Sequence, residues 1–218
     1  MSQPDRSKQP DRFRRVVALV PVRSLETAKS RLGGRLDAEE RQALVRDLLE
    51  RTVATALATA GLGATIVVSA DEALLELARS LGAEALRESG SGLNAALDEA
   101  RRAAISAGAT AVLALPADLP RVSPAAIEAV LEAGRSATRQ APERPVVVLV
   151  PDRHGEGTNA LLVAPPDAIP FAFGPGSRRR HADLAAGLGA TYRELEGGAL
   201  SLDLDTPEDL LLAGGPVP

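Results

Sequence analysis

The chain has 218 residues, enough for one large domain with a substantial core, and 45% of them are apolar. It has no cysteine, which excludes disulfides, thiolate zinc sites and cysteine nucleophiles. Net charge is −4, from 25 basic against 29 acidic residues, and Phe13, Phe171, Phe173 and Tyr192 are its whole aromatic complement; a nucleic-acid binder would carry net positive charge and aromatic stacking platforms.

Residues 1–12 are polar, with Pro4 and Pro10, and read as a flexible tail ahead of a single domain over 13–218. They lack the apolar centre of a signal peptide, and no run reaches the roughly 20 apolar residues of a membrane span, so a cytoplasmic protein is expected. Residues 15–21 form a continuous apolar run, as in a strand buried on both faces. From 39 to 60 the period becomes helical, with Leu44, Leu48, Val53 and Leu57 on one side. A strand over 64–68, a helix over 71–81 and a short strand near 83–86 follow. Residues 92–107 read as a helix and 111–115 as the fourth strand; Ser123-Pro124 opens another helix as N-cap and first-turn proline. Strands over 146–150, 159–163 and 191–195 and a short helix after Thr206-Pro207 complete the chain. Strands alternating with helices imply a three-layer α/β/α architecture around a mostly parallel sheet. Ligands bind such sheets along the edge where the strands end.

Several segments on that edge carry chemistry. The first strand runs into Pro21-Val-Arg-Ser-Leu-Glu-Thr-Ala-Lys-Ser-Arg-Leu32, which is neither a P-loop nor a G-x-G-x-x-G cradle. It brings Arg23, Lys29 and Arg31 together, either as counter-charges for a triphosphate or as a solvated basic loop. With 23 arginines in the chain, Lys29 is one of only two lysines. After the fourth strand, Asp118 lies between prolines in Leu115-Pro-Ala-Asp-Leu-Pro120, placed either to bind Mg²⁺ or to close a turn. Asp203 and Asp205, two apart, share a face if the segment is extended, although Asp205 also precedes a helix start. Gly174 and Gly176 before Ser177 suit an anion held by backbone amides and a hydroxyl at a helix N-terminus. Arg178 to Arg180 add positive charge or are simply solvated. His154 and His181 are isolated, without partners at metal-ligand spacing.

Taken together, residues 16–212 resemble the phospholactate/phosphoenolpyruvate guanylyltransferases of coenzyme F420 biosynthesis. The pieces that carry the resemblance are residues 21–32, Gly92-Leu-Asn-Ala-Ala-Leu97, Ala117-Asp-Leu-Pro120, Gly155-Glu-Gly-Thr-Asn159, Phe173-Gly-Pro-Gly-Ser177 and Asp203-Leu-Asp-Thr-Pro207. The resemblance implies a nucleotide-diphospho-sugar-transferase-like fold, GTP and Mg²⁺, and a small phosphorylated three-carbon acid. That acid is phosphoenolpyruvate in bacterial members, held by residues matching Thr158, Gly174 and Ser177. Asp118 and Asp205 would bind metal, with Lys29 and Asp118 catalytic. Arg23, Lys29 and Arg31 would face the triphosphate and Asn94 the nucleoside. Arg23 and Ala117 stand where relatives often have lysine and glycine. A homodimer is left open, and neither nucleic acid nor membrane is expected as a partner. The rival readings are a molybdenum-cofactor or sugar-phosphate nucleotidyltransferase, which usually shows a glycine-rich first loop, and a non-catalytic nucleotide-binding module.

Overall fold

A computed structural model describes residues 11–25, 29, 32–90 and 92–214. Seven strands form one sheet: β1 (Val16–Pro21), β2 (Leu62–Ser69), β3 (Glu84–Arg87), β4 (Ala111–Ala114), β5 (Val146–Pro151), β6 (Thr158–Ala164) and β7 (Thr191–Glu194). Between and after them run α1 (Ala38–Ala58), α2 (Glu72–Ser80), α3 (Leu93–Ser106), α4 (Pro124–Gln140), α5 (Ser177–Leu188) and α6 (Pro207–Leu212). The order across the sheet is β3-β2-β1-β4-β6-β5-β7. All pairings are parallel except those of β6, which runs against both β4 and β5. The mostly parallel sheet expected from the sequence is thus present, with one reversed strand inside it.

That reversal matters for function. Six strands deliver their C-terminal ends to one edge, whereas β6 delivers its beginning there: Thr158 pairs with Pro151, the last residue of β5. The turn joining β5 to β6 therefore lies on the same edge as the loops that follow β1 and β4.

The layering follows from strand alternation, since successive side chains leave a strand on opposite faces. Every residue of β1 is buried. Val17 and Leu19 pack with Leu97 and Ala100 of α3 and Ala185 of α5. Val16 meets Ile127 and Leu131 of α4, and Val20 meets Val45 and Leu49 of α1 and Leu74 of α2. The helices begin as their caps dictate. Asp37 and Glu40 form a reciprocal capping box on α1, Ser123 caps α4 with Pro124 in the first turn, and Thr206 with Asp209 caps α6. In α4, Gly134 lets the helix press onto Phe13 and Leu162, because a Cβ there would lie 2.6 Å and 2.7 Å from their side chains. Arg12 donates to the Glu143 carbonyl and the Phe13 amide to Asp11. Folded structure is therefore under way by residue 11, within the expected tail, whose first ten residues lie outside the described set. Among the described residues, no helix is long and apolar enough to cross a membrane.

Candidate active site

The loop after β1 is fastened from two sides. The Val22 amide donates to the Val68 carbonyl on β2, and the Leu25 amide to Asp71, whose carboxylate also caps α2. Arg23 is exposed in this loop and lines the adjoining cleft. Arg31, expected with it, lies outside the described residues. Lys29 stands apart from both because its side chain is only 9% exposed. Its Nζ sits 3.0 Å from Asp118 Oδ2 and 2.9 Å from Asp205 Oδ1, joining parts of the chain 89 and 176 residues away. Burial alone would pull the ammonium pKa down. The two carboxylates outweigh it and hold Lys29 above its ordinary value, so it is charged at neutral pH.

Asp205 reaches this point because the strand-like stretch before α6 is tied to the loop after β4, the Leu204 amide donating to the Asp118 carbonyl at 2.9 Å. Leu202 and Leu204 are buried, so Asp203 and Asp205 alternate toward the cleft. The capping of α6 falls to Thr206 and Asp209, which leaves the Asp205 carboxylate for the ion pair. Asp203 accepts from the Asn159 amide at 3.3 Å. Burial raises its carboxyl pKa, the neighbouring Asp118 and Asp205 charges add to this, and the Asn159 bond opposes it.

The far side of the cleft is built from β6, the loop before α5 and the first turn of α5. Thr158 and Ser177 line it, both buried as residues, together with Gly174 and Gly176, which adopt φ of 114° and 70°. Positive φ at both positions explains why glycine stands there. The expected cradle of backbone amides needs one correction. The Ser177 amide donates to the Gly174 carbonyl and the Arg178 amide to the Glu156 carbonyl, so these two are spent within the turn. The Ser177 hydroxyl, in contrast, has no hydrogen-bond partner among the described residues. The arginine run mainly braces the loops. Arg178 pairs with Glu194 and Glu196 and donates to the Gly155 carbonyl, while Arg180 binds the carbonyls of Ala172 and Pro175.

Asn94 is near the first turn of α3, but its amide is engaged at both ends: Nδ2 donates to the Phe173 carbonyl and Oδ1 accepts from the Phe173 amide. It therefore steadies the loop carrying Gly174. His181 is the residue that sequence reasoning passed over. It is fully buried one helical turn beyond Ser177, with Nδ1 3.0 Å from Thr158 Oγ1 and Nε2 accepting from the Ala172 amide at 3.0 Å. The i, i+4 spacing of Ser177 and His181 could have signalled a shared inner face.

These segments enclose one cleft of about 880 Å³, reaching from Arg23 and Lys29 across Asp118 and Asp205 to Thr158 and Ser177. Its middle is suited to a hard divalent cation. Asp118 and Asp205 already converge on a single positive charge, and their side chains remain 32% and 44% exposed. Mg²⁺ takes one or two carboxylates and fills its octahedron with water and phosphate oxygens. Among the described residues no group of three acidic or histidine side chains gathers as an all-protein metal cage, and neither histidine joins one.

A family model described as "Guanylyl transferase CofC like" matches residues 16–213. Over 195 residues the chain is 51% identical to a phosphoenolpyruvate guanylyltransferase of Rubrobacter xylanophilus, covering 89% of this chain and 91% of that one. It is 43% identical over 202 residues to a protein of the same name from Sphaerobacter thermophilus, covering 93% and 94%. Among solved structures, a putative nucleotide-diphospho-sugar transferase from Desulfovibrio desulfuricans superposes with a TM-score of 0.69 at 16% identity, covering 89% of this chain and 84% of that one. The 4-diphosphocytidyl-2C-methyl-D-erythritol synthase of Anaerococcus prevotii does so with 0.60 at 11%, covering 92% and 95%. At such identities the structural likeness speaks for the fold alone.

Proposed function

The chain belongs to the CofC-like guanylyl transferase family, and on that footing we propose that it condenses GTP with phosphoenolpyruvate, releasing pyrophosphate and giving enolpyruvoyl diphosphoguanosine for coenzyme F420 biosynthesis. It is a nucleotidyltransferase. The observation that carries the reading is Lys29 held between Asp118 and Asp205, in the middle of a cleft with a basic loop at one end and Thr158, Gly174 and Ser177 at the other. The basic loop offers counter-charge to a triphosphate, and two carboxylates against one ammonium leave the centre the negative charge that a divalent cation shared with phosphates would balance.

In the reaction an oxygen of the acid's phosphate forms a bond to the α-phosphorus of GTP. The bond from that phosphorus to the α,β-bridging oxygen breaks, and pyrophosphate leaves with the electron pair. A phosphate monoester, with a second pKa of about 6, is already largely ionised at neutral pH, so no general base is required. Catalysis then rests on alignment and charge. Thr158, Gly174 and Ser177 hold the acid, and Lys29, with Arg23 and Arg31, counters the triphosphate. Asn94 contributes through the Phe173–Gly174 loop that it clamps. Asp118 and Asp205 would hold Mg²⁺, which would supply charge neutralisation for phosphate oxygens. Residues 13–218 are read as one nucleotidyltransferase unit working in the cytoplasm, where GTP is supplied.

The test is pyrophosphate release with GTP and Mg²⁺, offering phosphoenolpyruvate, 2-phospholactate and 3-phosphoglycerate separately. Release with phosphoenolpyruvate is expected, and Asp118→Asn should reduce it at least about a hundredfold with the far-UV circular dichroism unchanged. Silence with all three acids, alongside turnover of another nucleotide pair, would overturn the assignment.

A further inference from the structure

His181 makes two contacts that only one state of its ring can satisfy. A backbone amide can only donate, so Nε2, 3.0 Å from the Ala172 nitrogen, must present a lone pair. The imidazolium and the Nε2-protonated tautomer would each set two donors against one another there. The remaining state carries its proton on Nδ1, which lies 3.0 Å from Thr158 Oγ1 and therefore donates to it. With an acceptor site on its oxygen filled in this way, the Thr158 hydroxyl cannot direct its own proton to the ring. Among the described residues it has no other hydrogen-bond partner, and Thr158 as a residue is 7% exposed and lines the cleft.

We propose that His181 is a positioning residue that makes the Thr158 hydroxyl an obligate hydrogen-bond donor to an anionic oxygen, carboxylate or phosphate, of the acid substrate. The inference deepens the assignment of Thr158 to the acid and rests on that assignment for the identity of the ligand. The surroundings maintain the required state. The ring is fully buried, Phe173 packs edge-on against it at 5.1 Å between centroids, and burial followed by the nearby Arg180 charge pushes its pKa down to about 4. The same imidazole joins the start of β6 to Ala172, two residues before Gly174, so one side chain registers two walls of the acid site. A hydroxyl free to rotate could accept as readily as donate. One whose proton is kept off the ring, with one of its two lone pairs filled by the ring N–H, favours a ligand group that only accepts.

The test has two independent readouts on the full-length chain. Long-range ¹H–¹⁵N spectra report the tautomer directly, and His154→Gln assigns the signals because the chain has only two histidines. A protonated Nδ1 with a bare Nε2 is expected at neutral pH; the opposite tautomer would sink the proposal whatever the activity. Kinetics then separate the two contacts. His181→Asn keeps an NH₂ where Nδ1 lies, whereas His181→Gln reaches only the Nε2 position and preserves the acceptor for Ala172. His181→Gln should raise KM for the acid about ten- to a hundredfold, with KM for GTP within about twofold, and His181→Asn should largely restore it. Thr158→Val should match His181→Gln, and the double variant should be no worse than either. Additive effects, or equal rises in both KM values, would assign His181 a merely structural role. If wild-type protein ignores phosphoenolpyruvate, it is the substrate assignment that fails; the tautomer is still read by the spectra, and the kinetic arm moves to whichever acid is turned over.

Discussion

Lys29 concentrates the residue-scale argument. Among the described residues it is the only one other than glycine with positive φ, at 54°. For a side chain with a Cβ this conformation costs about 1–2 kcal/mol. Two carboxylates within 3.0 Å offset it, and between them they fix the ammonium where substrate phosphates would meet. Because the pKa of Lys29 is raised above its ordinary value of 10.5, its contribution to stability is fully present below that pH. It is lost only as pH climbs through the higher folded value, so no neutral-range pH dependence of turnover arises from Lys29. Lys29→Met removes the ammonium that Asp118 and Asp205 share. Turnover should fall at least about a hundredfold, and single-turnover rates should show the loss in chemistry rather than in product release.

At the scale of elements, the positions of α4 and β6 decide most of what surrounds the cleft. α4 covers one face only because Gly134 admits Phe13 and Leu162 against the helix backbone. On propensity alone, Gly134→Ala in mid-helix would stabilise by about 1 kcal/mol. The buried ring and the β6 side chain leave a methyl group no room, and overpacking costs about 1–3 kcal/mol. We expect the net effect to be a Tm lowered by a few degrees in a thermal melt; a raised Tm would mean that α4 rides further from the sheet than described. β6 contributes through its direction. Had it run parallel to β4, its buried end residue Ala164, rather than Thr158 and Asn159, would face the ligand edge. The turn over 152–157 is short because β5 and β6 are antiparallel neighbours, and so it returns the chain directly to the cleft.

Across the whole molecule, two halves of the sheet meet at one cleft, and the groups locking that arrangement make stability depend on pH. His181 titrates at about 4 in the folded protein against an ordinary 6.5. The unfolded chain therefore binds a proton between those values that the folded chain refuses, and stability falls as pH drops through that window. Roughly 2 kcal/mol should be lost from this group between pH 7 and pH 5, and the loss should level off below about 4. Urea unfolding of wild type and His181→Asn at both pH values isolates the effect from the carboxylates, since only wild type carries this group's slope. Equal slopes would show that the imidazole is solvated in the native protein.

Much of this was legible in the residues themselves, because it is written in local periodicity and local chemistry. Apolar runs of strand length, the helical spacing of Leu44, Leu48 and Val53, and the Ser123-Pro124 and Thr206-Pro207 starts identify the elements and their caps without reference to anything distant. Family motifs picked out Lys29, Asp118, Thr158, Gly174, Ser177 and Asp205, and these described residues line the same cleft. Other features depended on contacts between residues far apart in the chain. The reversal of β6 rests on strand pairing, which an apolar run of that length does not encode. The carboxylates of Asp118 and Asp205 meet on Lys29 only because the Leu204 amide ties two loops together. Asn94 turns out to hold Phe173, and a histidine without sequence neighbours of its own kind orients a threonine 23 residues away. Hydrogen bonds and ion pairs act over about three ångströms of space, whatever the separation along the chain. The sequence by itself therefore determined the elements and the family chemistry, while tertiary packing alone decided which lone pair or proton each side chain presents to the cleft.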